Sequence, residues 1–116
     1  IDLLTSLVGL EGLVSVGGRI GIYYNPQLTS LAGFDGVASV SLHVEIKENP
    51  QLTGFVGLNS LVSVGGYFDI GSNAQLISLA GLESLTSVDG TLSIQDNAQL
   101  SSLAGLEGLT SVGKYL

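Results

Sequence analysis

The apolar positions of this chain follow two rhythms inside one longer period. Asn25, Asn49, Asn73 and Asn97 stand 24 residues apart, and each opens an Asn-Pro/Ala-Gln-Leu segment. Aligned on them, Leu4, Leu28, Leu52, Leu76 and Leu100 form one column, and Leu7, Leu31, Phe55, Leu79 and Leu103 form the next. Columns headed by Leu10, Leu13 and Val16 follow, each three residues further on. The repeat then changes to strict alternation, as Ile20-Gly21-Ile22, Val44-Glu45-Ile46, Phe68-Asp69-Ile70 and Leu92-Ser93-Ile94.

Alternation of this kind predicts a strand with one buried face in every repeat. The three-residue steps are too rich in Gly and Ser for a helix and predict short strands joined by tight bends. The unbroken column Gly9, Gly33, Gly57, Gly81 and Gly105 marks one such bend. Stacked coils bring equivalent residues to about 4.8 Å along the axis, so each apolar column becomes a ladder and the ladders together form a core. The expected architecture is all-β, a right-handed parallel β-solenoid of about five rungs with no α-helix, the hand following the preference of parallel crossovers. Residues 1–116 read as a single repeat domain, four full 24-residue repeats and a partial fifth, belonging to a longer solenoid or assembly.

The pattern Leu-x-Ile-x-x-Asn-Pro-x-Leu followed by Leu-x-x-Leu-x-x-Val resembles the leucine-rich repeats of receptor L domains. It is carried by Val44-Glu45-Ile46-Lys47-Glu48-Asn49-Pro50-Gln51-Leu52 and again by Asn25-Pro26-Gln27-Leu28, with each Asn three residues before the next Leu. The resemblance covers essentially the whole chain. It implies an extracellular or cell-surface setting and ligand binding through a solenoid face.

Composition narrows the partners. Three Lys and Arg against ten Asp and Glu give a net charge of −7, which argues against nucleic acid, whose phosphates need a basic stripe. No apolar stretch approaches the roughly 20 residues of a membrane-spanning helix, so membrane insertion is not expected. Cysteine is absent, and no HExxH, GxSxG or phosphate-cradling motif occurs, so neither metal nor cofactor is expected. The column Glu11, Asp35, Asn59, Glu83 and Glu107 lacks a calcium-loop spacing and reads as a solvated acidic edge.

Two sets of polar residues remain. The Asn25, Asn49, Asn73 and Asn97 ladder suits a solenoid corner, where the amides bond backbone groups that the turn leaves unpaired. The outward positions of the alternating strand gather Arg19, Tyr23, His43, Glu45, Lys47, Tyr67 and Asp69 on one face. Tyr and Arg combine large contact area with polar tips, which makes this face the candidate site for a protein or glycan. Glu45 and Asp69 on adjacent rungs could imitate a glycosidase carboxylate pair, but an open sheet lacks the water-excluding cleft, so a non-enzymatic role is expected. The alternative role is structural. Leu7, Leu10 and Leu13 at one end and Leu103, Leu106 and Leu109 at the other would stack further copies end to end, as in a filament or surface layer.

Overall fold

The computed structural model describes residues 12–113. Leu7 and Leu10 of the end-stacking set lie outside this range, as do Leu4, Gly9 and Glu11 of the ladders. Two-residue and four-residue strands alternate along the described chain. The short ones are β1 (Ser15–Val16), β3 (Ser39–Val40), β5 (Ser63–Val64), β7 (Ser87–Val88) and β9 (Ser111–Val112). The long ones are β2 (Ile20–Tyr23), β4 (Val44–Lys47), β6 (Phe68–Gly71) and β8 (Leu92–Gln95). β1 and β2 form the first rung, β3 and β4 the second, β5 and β6 the third, β7 and β8 the fourth.

Every pairing is parallel and in the register of the repeat, Ser39 opposite Ser63 in one sheet and Ile46 opposite Ile70 in the other. The short strands make a sheet of order β1-β3-β5-β7-β9 and the long strands one of order β2-β4-β6-β8. The molecule is thus a parallel β-solenoid, and no α-helix occurs among the described residues. Inside it the apolar ladders meet in one core, with Leu28, Leu31, Val37, Leu52, Phe55, Phe68, Ile70, Leu76, Leu79, Leu82 and Leu85 fully buried.

The three-residue rhythm is met in part as expected, since its last column, Val16, Val40, Val64, Val88 and Val112, lies in the short strands; the columns before it do not. Where short strands were anticipated, the chain makes successive single turns: Phe34 N–H donates to Leu31 O at 3.2 Å, Val37 N–H to Phe34 O at 3.0 Å, and Leu58 and Leu61 repeat the pattern one rung on. A turn closed from residue i to i+3 eclipses the side chains at those positions, so every third residue points inward. Bonds between rungs tie the turns together, as from Phe55 N–H to Ala80 O at 2.8 Å. Gly33, Gly57, Gly81 and Gly105 carry the bend, with φ between 111° and 119°, where a side chain is strained. Space forbids one as well: a Cβ on Gly81 would lie 2.1 Å from the Phe55 carbonyl oxygen.

At the exit of each long strand stands a second left-handed position that alternation alone does not disclose. Tyr24, Glu48, Ser72 and Asp96 have φ between 54° and 58°, a conformation that costs a non-glycine residue about 1–2 kcal/mol. The Asn ladder follows immediately. Asn49 Oδ1 accepts from the backbone N–H of Asn25 at 3.2 Å and from its Nδ2 at 3.0 Å, while Asn49 Nδ2 donates to Ile22 O at 3.0 Å and Lys47 O at 3.1 Å. Asn73 repeats the arrangement toward Asn49 and Ile46, and Asn97 toward Asn73 and Ile70. Asn49 and Asn73 are wholly buried, so each bond replaces one that water would otherwise supply.

Two substitutions test this frame. Asn73→Leu leaves the buried Asn49 N–H without its partner and removes the Nδ2 bond to the Ile46 carbonyl, and we expect a loss of about 2 kcal/mol or more in urea unfolding, since an orphaned buried group costs about 1–3 kcal/mol. Stability equal to the parent would remove the ladder from its structural role. Gly81→Ala is expected to lose at least about 2 kcal/mol. Gly17→Ala, where a Cβ meets nothing within 4 Å, is expected to stay within about 0.5 kcal/mol.

Candidate functional site

The outward face of β2, β4, β6 and β8 brings six of the seven candidate residues into contact or close approach. Register sets the columns: Gly21, Glu45, Asp69 and Ser93 lie side by side, as do Tyr23, Lys47, Gly71 and Gln95. Lys47 is the centre of charge. Its Nζ lies 2.8 Å from Asp69 Oδ2 and 3.7 Å from Glu45 Oε2. The two carboxylate side chains are largely covered, at 12% and 16% exposure, so this ammonium offsets charges that water reaches poorly. Asp69 Oδ1 is buried and accepts no hydrogen bond. Arg19 is exposed and forms no ion pair among the described residues.

The aromatic residues lock onto the same centre. Tyr67 Oη donates to Glu45 Oε1 at 2.9 Å, reaching back to the preceding rung. His43 stacks on the Tyr67 ring with centroids 3.9 Å apart and planes 13° from parallel, and His43 Nδ1 accepts from the Tyr67 backbone N–H at 3.2 Å. That acceptor places the imidazole proton on Nε2. Tyr23 approaches Glu45 from the first rung, its ring lying over Gly21.

Two glycines make this arrangement possible, and neither stood out in the sequence as part of the face. A Cβ on Gly21 would come within 2.7 Å of Tyr23 Cε2, and one on Gly66 within 2.2 Å of His43 Nδ1. The available signal was Gly21 at the head of a column otherwise filled by Glu45, Asp69 and Ser93; Gly66 stands in a column that is mostly glycine, Gly18, Leu42, Gly66 and Gly90, and gave none.

Burial raises the cost of ionising Glu45 and is the largest single influence on it, but the hydroxyls of Tyr23 and Tyr67 and the charges of Lys47 and Arg19 together hold its carboxyl below the ordinary 4.5. The hydrogen bond to Asp69 raises the Lys47 ammonium above its usual range. Burial and then the Glu45 contact raise the Tyr23 phenol, while for Tyr67 the Glu45 hydrogen bond comes first. All four shifts favour one protonation pattern, with carboxylate and ammonium charged and both phenols neutral.

The other polar columns are occupied structurally. The acidic edge does more than meet water: Asp35, Asn59, Glu83 and Glu107 accept hydrogen bonds from the N–H groups of Gly33, Gly57, Gly81 and Gly105, at 2.8 Å for the Asn59 and Glu107 bonds. Among the described residues no three His, Asp or Glu side chains come together to hold a metal ion, and no helix is long and apolar enough to cross a membrane. Of the end-stacking residues, Leu13, Leu106 and Leu109 are partly buried, whereas Leu103, an inward position by its column, is 52% exposed. Leu103 and Leu100 line an apolar recess of about 440 Å³ with Leu92 and Ile94. No family model, curated protein or solved structure matches the chain.

The charge pattern makes acid stability the test of Glu45. A carboxyl held below its unfolded value stabilises the fold above about pH 4.5, and that contribution is lost as pH falls through the lowered value. Glu45→Gln is expected to cost about 1–2 kcal/mol at pH 7. Urea unfolding from pH 3 to pH 7 should show this difference shrinking at the acid end; a constant difference would mean that the Glu45 charge is not part of the lock.

Proposed function

We propose that this chain is a non-enzymatic recognition module that holds a protein or glycan ligand against the outward face of β2, β4, β6 and β8. One observation carries the reading: Tyr67 is fixed before any ligand arrives, by the His43 stack on its ring and the Glu45 bond at its hydroxyl. An aromatic already held in one geometry has little rotamer freedom left to lose on binding, and such residues supply most of the energy of recognition surfaces. The receptor L-domain resemblance supports the same use of the fold, with an extracellular or cell-surface setting and a single leucine-rich repeat domain across residues 1–116. Net charge argues for partners other than nucleic acid. Catalysis is the weaker reading, because Glu45 and Asp69 are both committed to Lys47 on an open sheet with no cleft to raise the pKa of a general acid.

The test is binding of the whole chain to arrays of immobilised glycans and of extracellular protein domains, beside a Tyr23→Ala/Lys47→Ala variant. Loss of Lys47 leaves Glu45 and Asp69 without their ammonium and lowers the melting temperature, so binding is compared at a temperature where circular dichroism shows both chains folded. We expect its affinity for the ligands of the parent to fall at least about tenfold. A parent that binds neither array, or a variant that binds as the parent does, would overturn the reading.

A further inference from the structure

Between the third and fourth rungs the face carries a shallow groove of about 390 Å³ beside Tyr67. Gly65, Gly66 and Gly90 give it a border of bare backbone, and Asp89 and Thr91 line it from the fourth rung. His43, on the second rung, covers one face of the Tyr67 ring. The other face is therefore turned to the fourth rung, where the same column holds Thr91, whose side chain is too short to cover a phenol. The groove is a one-sided aromatic platform.

Its polar groups are of mixed kind. At the third rung the Tyr67 N–H is taken by His43 Nδ1. One rung on, the repeat places the Thr91 N–H over the Tyr67 side chain, whose carbon ring offers no such acceptor. The Thr91 carbonyl is engaged by Phe68 N–H at 2.9 Å, but the Thr91 N–H makes no hydrogen bond among the described residues. The groove thus presents a backbone donor, a hydroxyl that can donate or accept, and the Asp89 carboxylate as acceptor.

We infer that this groove is a subsite for one pyranose ring of a neutral glycan, an assignment that rests on the reading of this face as a recognition surface. A pyranose has a side of polarised C–H bonds that suits the electron-rich face of Tyr67, and hydroxyls at its rim that both donate and accept. A guanidinium or ammonium group would also suit the ring and Asp89 but, having only donors, would leave the Thr91 N–H unmatched. The unpartnered donor is what distinguishes a saccharide from a cation here.

The experiment is a titration of the ¹⁵N-labelled whole chain, followed by amide shifts and by saturation transfer to ligand protons. The probes are the methyl glycosides of glucose, galactose, mannose and N-acetylglucosamine, and, separately, the capped peptide acetyl-Gly-Arg-Gly-amide. We expect at least one glycoside to shift the amides of Gly65, Gly66, Gly90 and Thr91 with a millimolar Kd and to receive saturation at its ring C–H protons. Tyr67→Leu should abolish that transfer. Asp89→Asn, whose carboxylate takes no hydrogen bond among the described residues, should keep the fold and weaken binding about tenfold. Titration by the arginine peptide alone, no shift with any glycoside, or glycoside binding indifferent to both substitutions would overturn the assignment. The two readings fail separately. Array binding that depends on Tyr23 and Lys47 without glycoside binding at these amides removes only the subsite. Glycoside binding with array signals indifferent to Tyr23 and Lys47 removes only the wider face.

Discussion

A solenoid must turn its backbone inside its own core, and the turn at Asn25, Asn49, Asn73 and Asn97 is where that constraint is met. After the left-handed residue that ends each long strand, the N–H groups of Asn25, Asn49 and Asn73 bond a side-chain oxygen of the next rung in place of a backbone carbonyl. The side-chain amide of the next rung stands in for the missing backbone partner, its oxygen accepting and its nitrogen donating at once. A buried peptide group without such a partner would cost as much as several methylenes of core contribute. The geometry works only when the Asn residues lie one above another. The ladder therefore holds the 24-residue register, and the register holds everything else.

Exact stacking has consequences on both sides of the sheet. Inside, it converts a modest apolar repeat into continuous ladders, in which Phe55 and Phe68 lie fully buried in columns otherwise held by smaller residues. Outside, it places unlike residues in a common column at the spacing of neighbouring strands. His43 and Tyr67 are brought into stacking contact, and Glu45 and Asp69 flank one ammonium. The face is a regular lattice carrying an irregular set of side chains, which is how a repeat fold combines rigidity with an individual surface. Glycine permits the irregularity, since Gly21 and Gly66 leave room for the rings of Tyr23 and His43.

Acidic residues illustrate how the same chemistry takes two roles in this lattice. Glu83 and Glu107 bond the N–H of a glycine two residues earlier and so brace a bend. Glu45 has no backbone partner and instead organises two tyrosines and a lysine. Both are carboxylates at outward positions of the repeat, but only one lies on a flat sheet where neighbouring rungs can reach it.

Much of this was readable along the chain. Parallel stacking, the inward columns and the membership of the charged face follow from spacing alone, because a repeat that recurs every 24 residues admits one consistent stacking of its apolar positions. Other features depend on contacts that spacing does not encode. Successive single turns and short strands both bring every third residue inward, so the period could not choose between them. The left-handed residues Tyr24, Glu48, Ser72 and Asp96 share no side-chain type, and the need for that conformation comes from the corner rather than from the residues themselves. The joining of His43, Tyr67 and Glu45 reflects ring orientations chosen by neighbours on other rungs. Sequence by itself determined the register, since burying apolar side chains and pairing the Asn amides both demand it. Only the tertiary structure decided how the face is wired, because each outward side chain selects among rotamers of similar energy according to what the next rung places beside it.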